Sequence, residues 1–295
     1  MRSFKSAAGA MFAALVLAVP AGAEPTGARV LDGVFVPPPV VTTPRLYVLD
    51  CGALTNDQPE DFGLKRNEVK YVDFADMCFL IVHPKGTLLW DTGLRDDLVG
   101  RPLYETMRYI YAQIKLNTLR GQLADLGYTP DKITYLALSH AHFDHVGNAN
   151  MFAKSTWLVE KPEWEAMFDF KPGQEPTAYE DFKDLKSAKT VFVGPDYDVF
   201  GDGSVVIKQA FGHSPGHAVL AVKLHDTGNL LLAGDLWHYP EELSLNRIGE
   251  HDAKTATPQA REAIAAWAKA HDAKIWGAHF MTVFAAARKS PGYYQ

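Results

Sequence analysis

Short apolar runs separated by turn residues dominate the chain, and several of them end on a histidine or an aspartate. After a lead-in rich in proline (Pro37, Pro38, Pro39, Pro44), strands are expected at about 46–50, 77–83 and 87–91. Pro84-Lys85-Gly86 supplies the turn between the last two. The polar stretch from Thr55 to Val69 is too long for a hairpin turn and reads as a binding lid or as a plain surface loop. From Leu103 to Leu126 the spacing becomes helical. Leu103, Met107, Ile110 and Ile114 form one stripe, and Leu119, Leu123 and Leu126 a second one out of phase, so one long helix or two are expected before Gly127. Further strands are expected near 156–159, 190–194, 204–211, 218–224, 229–234 and 274–277. A helix from Pro258 to His271, with Thr257 as its N-cap, precedes the last of them. Two strand-rich halves with helices outside suggest an αββα sandwich of the α/β class. The strand ends at 139, 211, 234 and 278 would then meet on one edge, where loops can build a site.

Those strand ends carry the candidate chemistry. Residues 140–145 read His-Ala-His-Phe-Asp-His, four metal-ligand side chains in six positions, directly after the apolar run 133–139. Side chains alternate along a strand, so His140 and His142 fall on one side, while Asp144 and His145 lie on the following turn and can point elsewhere. One pair can serve one ion and the other pair a second ion close by. Imidazole with carboxylate suits zinc or another first-row metal. The same plan recurs at Gly212-His213-Ser214-Pro215-Gly216-His217, at Ala233-Gly234-Asp235 and at Gly277-Ala278-His279. Small residues before each ligand let the backbone come close. His83, His225, His251 and His271 have no such context and read as surface or structural residues.

This series of motifs resembles the metallo-β-lactamase superfamily of hydrolases, over about Leu46 to His279. The resemblance implies the αββα fold, with two mixed sheets and helices outside. It also implies that His140, His142 and His213 bind one ion, that Asp144, His145 and His279 bind another, and that Asp235 bridges them. His217 stays outside that set. Asp91, in Asp91-Thr92-Gly93, matches an aspartate that orients a ligand histidine. Ser139 to Asn148, Gly212 to His217 and Leu46 to Gly52 are most similar to the N-acyl-homoserine lactonase branch. Asp235 counts against a true β-lactamase. One position departs from the branch: three residues beyond the bridging aspartate it carries a tyrosine, and here His238 stands there with Tyr239 next to it.

Two divalent ions, zinc or else iron, manganese or cobalt, would share a water, lower its pKa and yield hydroxide for attack on a lactone or ester carbonyl. Asp144 would also take the nucleophile's proton, and His238 or Tyr239 would hydrogen-bond the carbonyl oxygen. Tyr104, Met107, Tyr111 and Ile114 offer a face for an acyl-chain groove, and Trp237 a flank for the substrate. No serine or cysteine nucleophile is evident. The alternatives are another hydrolase of the fold, acting on aryl esters, β-lactams or phosphoesters, a redox di-iron or persulfide enzyme, and a non-catalytic binding protein.

The chain's start adds a location. Arg2 and Lys5, the apolar stretch Ala7 to Val19 and Ala21-Gly22-Ala23 read as a secretory signal cut after Ala23, leaving 24–295 as one hydrolase domain, periplasmic or secreted. No later segment is apolar enough to cross a membrane. With Arg2 and Lys5 gone, the formal charge moves from −6 to −8, and an acidic chain without a basic run is a poor partner for nucleic acid. A small-molecule substrate is the expected partner, and a homodimer is compatible with the sequence. Cys51 and Cys78 are the two cysteines. Export permits a bond between them, but two buried free thiols are expected, because neighbouring strands need not set the two residues opposite each other.

Overall fold

Alternation along the strands sets the layers. In β1 (Arg45–Leu54) and β2 (Phe74–His83), Leu46, Val48, Met77, Phe79 and Ile81 turn to one face of a sheet, and Tyr47, Leu49, Cys78, Leu80 and Val82 to the other. Both faces are buried, so both must be covered. The structure, a computed structural model, describes residues 30–295 except 32–33, 36–37, 39, 57, 109–110 and 251. The expected signal segment 1–23 and its cleavage point, Pro37 and Pro39, Ile110 and His251 lie outside the described residues.

β1 and β2 belong to an eight-stranded sheet with β3 (Gly86–Trp90), β4 (Met107–Arg108), β5 (Tyr111–Ile114), β6 (Tyr135–Ala137), β7 (Thr156–Glu160) and β8 (Thr190–Val193). Their order is β8-β7-β6-β3-β2-β1-β5-β4, parallel from β8 to β3 and antiparallel beyond. The second sheet holds β9 (Tyr197–Asp198), β10 (Val205–Gln209), β11 (Ala218–Leu224), β12 (Gly228–Leu232) and β13 (Lys274–Trp276) in chain order, antiparallel except for the last pair. Leu220, Val222, Leu230 and Leu232 pack against Val48, Phe79 and Ile81 between the sheets. Leu119 and Leu123 of α1 (Leu119–Asp125) join the core on the outer face of the first sheet. Ile264 and Ala268 of the long helix Ala256–Ala270 cover the second. That is the αββα sandwich read from the sequence. Among the described residues no helix is long and apolar enough to cross a membrane.

Three local expectations are corrected. Among the described residues of the stretch from Leu103 to Leu126, the α-helix is α1; before it come a 3-10 turn, Leu103–Glu105, and the antiparallel pair β4–β5. β5 pairs with Ala53 and Leu54 at the edge of β1, and this pairing overrides an apolar spacing that strand and helix share. The long helix starts with Thr255 at its N-cap, and Thr257 lies buried inside it against Gly212. Cys51 and Cys78 form a disulfide, with Cα atoms 5.7 Å apart. The register of β1 and β2 shifts between Asp50 and Gly52, making Cys51 the extra residue of a bulge, and the bulge brings it to Cys78 where a regular ladder would leave a longer diagonal.

Candidate dinuclear metal centre

Each strand ends where the expected ligands begin. β6 delivers His140 and His142, and the one-turn helix α2 (Phe143–Val146) delivers Asp144 and His145. The loop after β10 carries His213, the end of β12 carries Asp235, and the end of β13 carries His279. The seven residues meet as two groups whose ligand atoms lie within 4.8 Å of one another, His140 with His142, His213 and Asp235, and Asp144 with His145 and His279. Asp235 faces both. Its Oδ2 is 3.1 Å from His279 Nε2, 3.5 Å from His213 Nε2 and 3.7 Å from His140 Nε2, and its Oδ1 is 3.2 Å from His145 Nε2.

Hydrogen bonds hold the far sides of these rings. His145 Nδ1 lies 3.2 Å from Asp91 Oδ2, and Asp91 Oδ1 accepts from the backbone N–H of Ser139 at 2.6 Å. Asp91 therefore stands where the sequence put it, against a ligand-type histidine. His279 Nδ1 donates to the carbonyl of Ala75 at 2.7 Å, and His213 Nδ1 lies 3.1 Å from Asp252. Ser139 Oγ is within 3.2 Å of Nδ1 of both His140 and His145. The Nε2 atoms of His140 and His145 and one oxygen of Asp235 are buried with no hydrogen-bond partner, all aimed at the centre. His213 Nε2 and His142 Nδ1 face each other at 3.0 Å. Converging lone pairs of this kind, nitrogen and carboxylate in two adjoining groups, fit two first-row divalent cations.

The electrostatics divide the histidines into two kinds. Burial, followed by the neighbouring His145, pushes His140 well below the usual imidazole range, and burial with His213 does the same to His142. For His145 burial opposes the charged form, but Asp235, Asp144 and Asp91 outweigh it and lift its pKa well above the usual range. His279 is raised to about 9 in the same way, by Asp235 and Asp144 against burial. Burial also pushes His217 down to about 3; its Nε2 accepts from the backbone N–H of Asp235, so it serves as a strut for that residue.

The two substrate candidates part company. His238 lines the cavity above the centre, with Nε2 3.4 Å from Asp235 Oδ2 and Nδ1 buried without a partner. The hydroxyl of Tyr239 points away; it accepts from Asn56 at 2.6 Å, donates to the carbonyl of Val72 at 2.9 Å, and is absent from the lining of that cavity. Trp237, expected to flank the substrate, is buried in the core behind the second sheet. Tyr104 and Met107 are exposed, and of the expected groove face only Tyr111 reaches the cavity, whose volume is about 570 Å³. The polar stretch 55–69 is a wall of this cavity: Asp61 and Phe62 line it, and Phe62 lies 4.5 Å from the ring of His238. His83 is buried on Asp202 and Phe200, far from ligand context, and His225 and His271 hydrogen-bond Asp226 and the carbonyl of Trp267.

Sequence reasoning missed the buried support. Asp252, which holds His213, lies 3.7 Å from Arg261, and Arg261 pairs at 2.8 Å with Glu242. The other oxygen of Glu242 accepts from the backbone N–H groups of His238 and Tyr239. One guanidinium thus ties the mount of His213 to the loop that carries His238.

A family model described as the metallo-beta-lactamase superfamily matches residues 73–278. An N-acyl homoserine lactonase of Rhizobium radiobacter is 28% identical over 268 residues, spanning 86% of this chain and all of the relative. One from Bacillus thuringiensis is 25% identical over 200 residues, spanning 66% and 76%. The solved structure of an N-acyl homoserine lactone hydrolase with its product N-hexanoyl-L-homoserine bound superposes with TM-score 0.72 at 22% identity, over 86% of this chain and 100% of that one. A dizinc quorum-quenching lactonase superposes at 0.63 with 19% identity, over 85% and 94%.

Proposed function

The chain belongs to the metallo-beta-lactamase superfamily, and from that membership we propose that it is an exported dinuclear metal-dependent hydrolase that opens a neutral lactone with an apolar acyl tail, of the N-acyl homoserine lactone kind. The observation that carries this reading is the cavity. Leu54, Phe62, Phe74, Tyr111, Phe143 and Ala178 give it an apolar wall, and among the described residues no lysine or arginine lines it. An anionic substrate, such as a β-lactam carboxylate or a charged phosphoester, would meet Asp61 and, beyond the ions of the centre itself, no cationic side chain to seat its charge. A neutral carbonyl compound with a hydrophobic tail meets neither obstacle.

His140, His142 and His213 would hold one ion, Asp144, His145 and His279 the other, with Asp235 between them. Zinc is the metal that suits this donor set best. When bound, the ions supply a water acidified to near neutrality and positive charge for the carbonyl oxygen. The chain's own groups do the rest. The aromatic wall sheds water and holds the tail, which orients the ring. Asp144 lines the cavity, where its carboxylate can accept a proton. His238 can donate a hydrogen bond from its ring to the carbonyl oxygen as charge gathers on it.

Kinetics on a panel of substrates test this reading. Purified mature protein is expected to prefer medium-chain N-acyl homoserine lactones over aryl esters, and both over β-lactams and phosphodiesters, by at least tenfold in kcat/KM at each step. Efficient β-lactam cleavage without lactone opening would discard the substrate while keeping the centre.

Export has a support independent of the leader, namely the Cys51–Cys78 disulfide, which an oxidising compartment maintains and a reducing cytosol does not. Mass spectrometry of periplasmic or secreted protein is expected to find Glu24 at the N-terminus. An intact Met1 on a cytoplasmic product would refute export.

A further inference from the structure

Glu163 sits in the first turn of the helix Lys161–Phe168, after the end of β7, and its side chain belongs to none of the expected ligand sets. It is 3% exposed. One carboxylate oxygen accepts from the backbone N–H of Ala141 at 2.8 Å, and the other accepts from the hydroxyl of Ser214 at 2.6 Å and the backbone N–H of Gly216 at 2.8 Å. Ala141 stands between His140 and His142, and Ser214 follows His213. One buried carboxylate therefore clasps the two loops that bring His142 and His213 to within 3.0 Å of each other. The approach is close: a Cβ at Gly216 would lie 2.4 Å from the nitrogen of Glu163, so the loop rests on the start of the helix. The carboxylate of Glu163 accepts no hydrogen bond from Asp144, His145 or His279 themselves; its partners are Ala141, Ser214 and Gly216.

We propose that Glu163 is a positioning residue that fixes the separation of His142 and His213, and so governs occupancy of the first ion position while leaving the second alone. The proposal rests on the dinuclear reading above. Without the clasp the two loops keep the backbone bond from Ala218 N–H to the carbonyl of Ser139 but lose the carboxylate bridge beside the ligands, and the ion must then supply the ordering that the carboxylate now provides. Partners that orient ligands in this way typically change metal affinity by roughly tenfold to a hundredfold. Glutamine at this position keeps one acceptor but turns an NH2 toward a donor, so it restores part of the effect.

Metal-stripped full-length mature protein titrated with cobalt(II), with bound ion counted by equilibrium dialysis and the cobalt absorption spectrum recorded, tests this without any turnover. Wild type is expected to take two equivalents. In Glu163→Ala one equivalent is expected to bind roughly tenfold to a hundredfold more weakly and the other as in wild type, with Glu163→Gln between them. Adding His142→Ala to Glu163→Ala should then lose no further tightly bound ion, whereas adding His145→Ala should lose it. Two ions bound at wild-type affinity by Glu163→Ala, or both weakened alike, would overturn the proposal alone. If circular dichroism shows that Glu163→Ala does not fold, Ser214→Ala removes one of the three hydrogen bonds. A weakening confined to one equivalent in that variant supports the proposal, and two unchanged equivalents overturn it. A wild type that takes up fewer than two equivalents overturns the dinuclear reading and this proposal with it.

Discussion

Asp235→Asn is expected to lower turnover on the order of a hundredfold or more and to leave one of two ions weakly held. The substitution keeps the volume and removes the charge. In the folded protein that charge faces His140, His145, His213 and His279 at 3.1 to 3.7 Å, and its Oδ2 alone reaches histidines of both ligand groups. Burial alone would keep this carboxyl protonated. His145 and then His279 reverse that and hold its pKa well below the usual carboxylate range, so the site is organised around an anion at this point. An amide cannot balance two neighbouring cations. Its NH2 would also face imidazole nitrogens that need to present lone pairs. Steady-state kinetics and elemental analysis of the purified variant check the result, and near-normal rate with two ions would reduce Asp235 to a strand-end residue.

His238→Ala is expected to reduce lactone opening by roughly tenfold to a thousandfold with both ions retained, while Tyr239→Phe changes turnover less than about twofold. The difference follows from where the two side chains go. The ring of His238 is held against Phe62 at 4.5 Å and lies parallel to His279 at 5.9 Å, and it opens onto the cavity. Tyr239 spends its hydroxyl on Asn56 and Val72. Loss of that hydroxyl leaves Asn56 short of an acceptor and costs about 1–3 kcal/mol of stability, readable as a lower denaturation midpoint. A hydrogen bond that strengthens as the carbonyl oxygen gains charge affects kcat more than KM, so the split between them identifies the role of His238. Loss of an ion in His238→Ala would make it a ligand instead, and a normal rate would remove it from the reaction.

The ligand motifs were legible because metal chemistry accepts few residue types and places them at strand ends, where a period of two and a following glycine or alanine leave a local record. His140, His142, Asp144 and His145 form one segment, and His213, Asp235 and His279 repeat its form. The sandwich was legible for a similar reason, since both faces of β1 and β2 are apolar. The antiparallel pair β4–β5 was not. Leu103, Met107 and Ile114 are spaced for a helix, and only the free edge of β1, more than 50 positions back, makes a strand of Tyr111–Ile114.

By itself, then, the sequence marked the candidate donor residues, the layers of the sandwich and the apolar faces of its central strands, signals written within short segments of the chain. Tertiary structure decided what depends on distant partners. It joined Cys51 to Cys78 through a bulge in β1. It turned Tyr239 toward Asn56, 183 positions away, and left His238 facing the cavity. It also recruited Glu163, Glu242, Asp252 and Arg261 as buried supports from helices and loops whose charges look, in sequence, like any solvated face. A charge buried without partners is costly, so each of these residues can occupy the interior only because the fold has already gathered the donors and acceptors that satisfy it, and no spacing along the chain records that gathering.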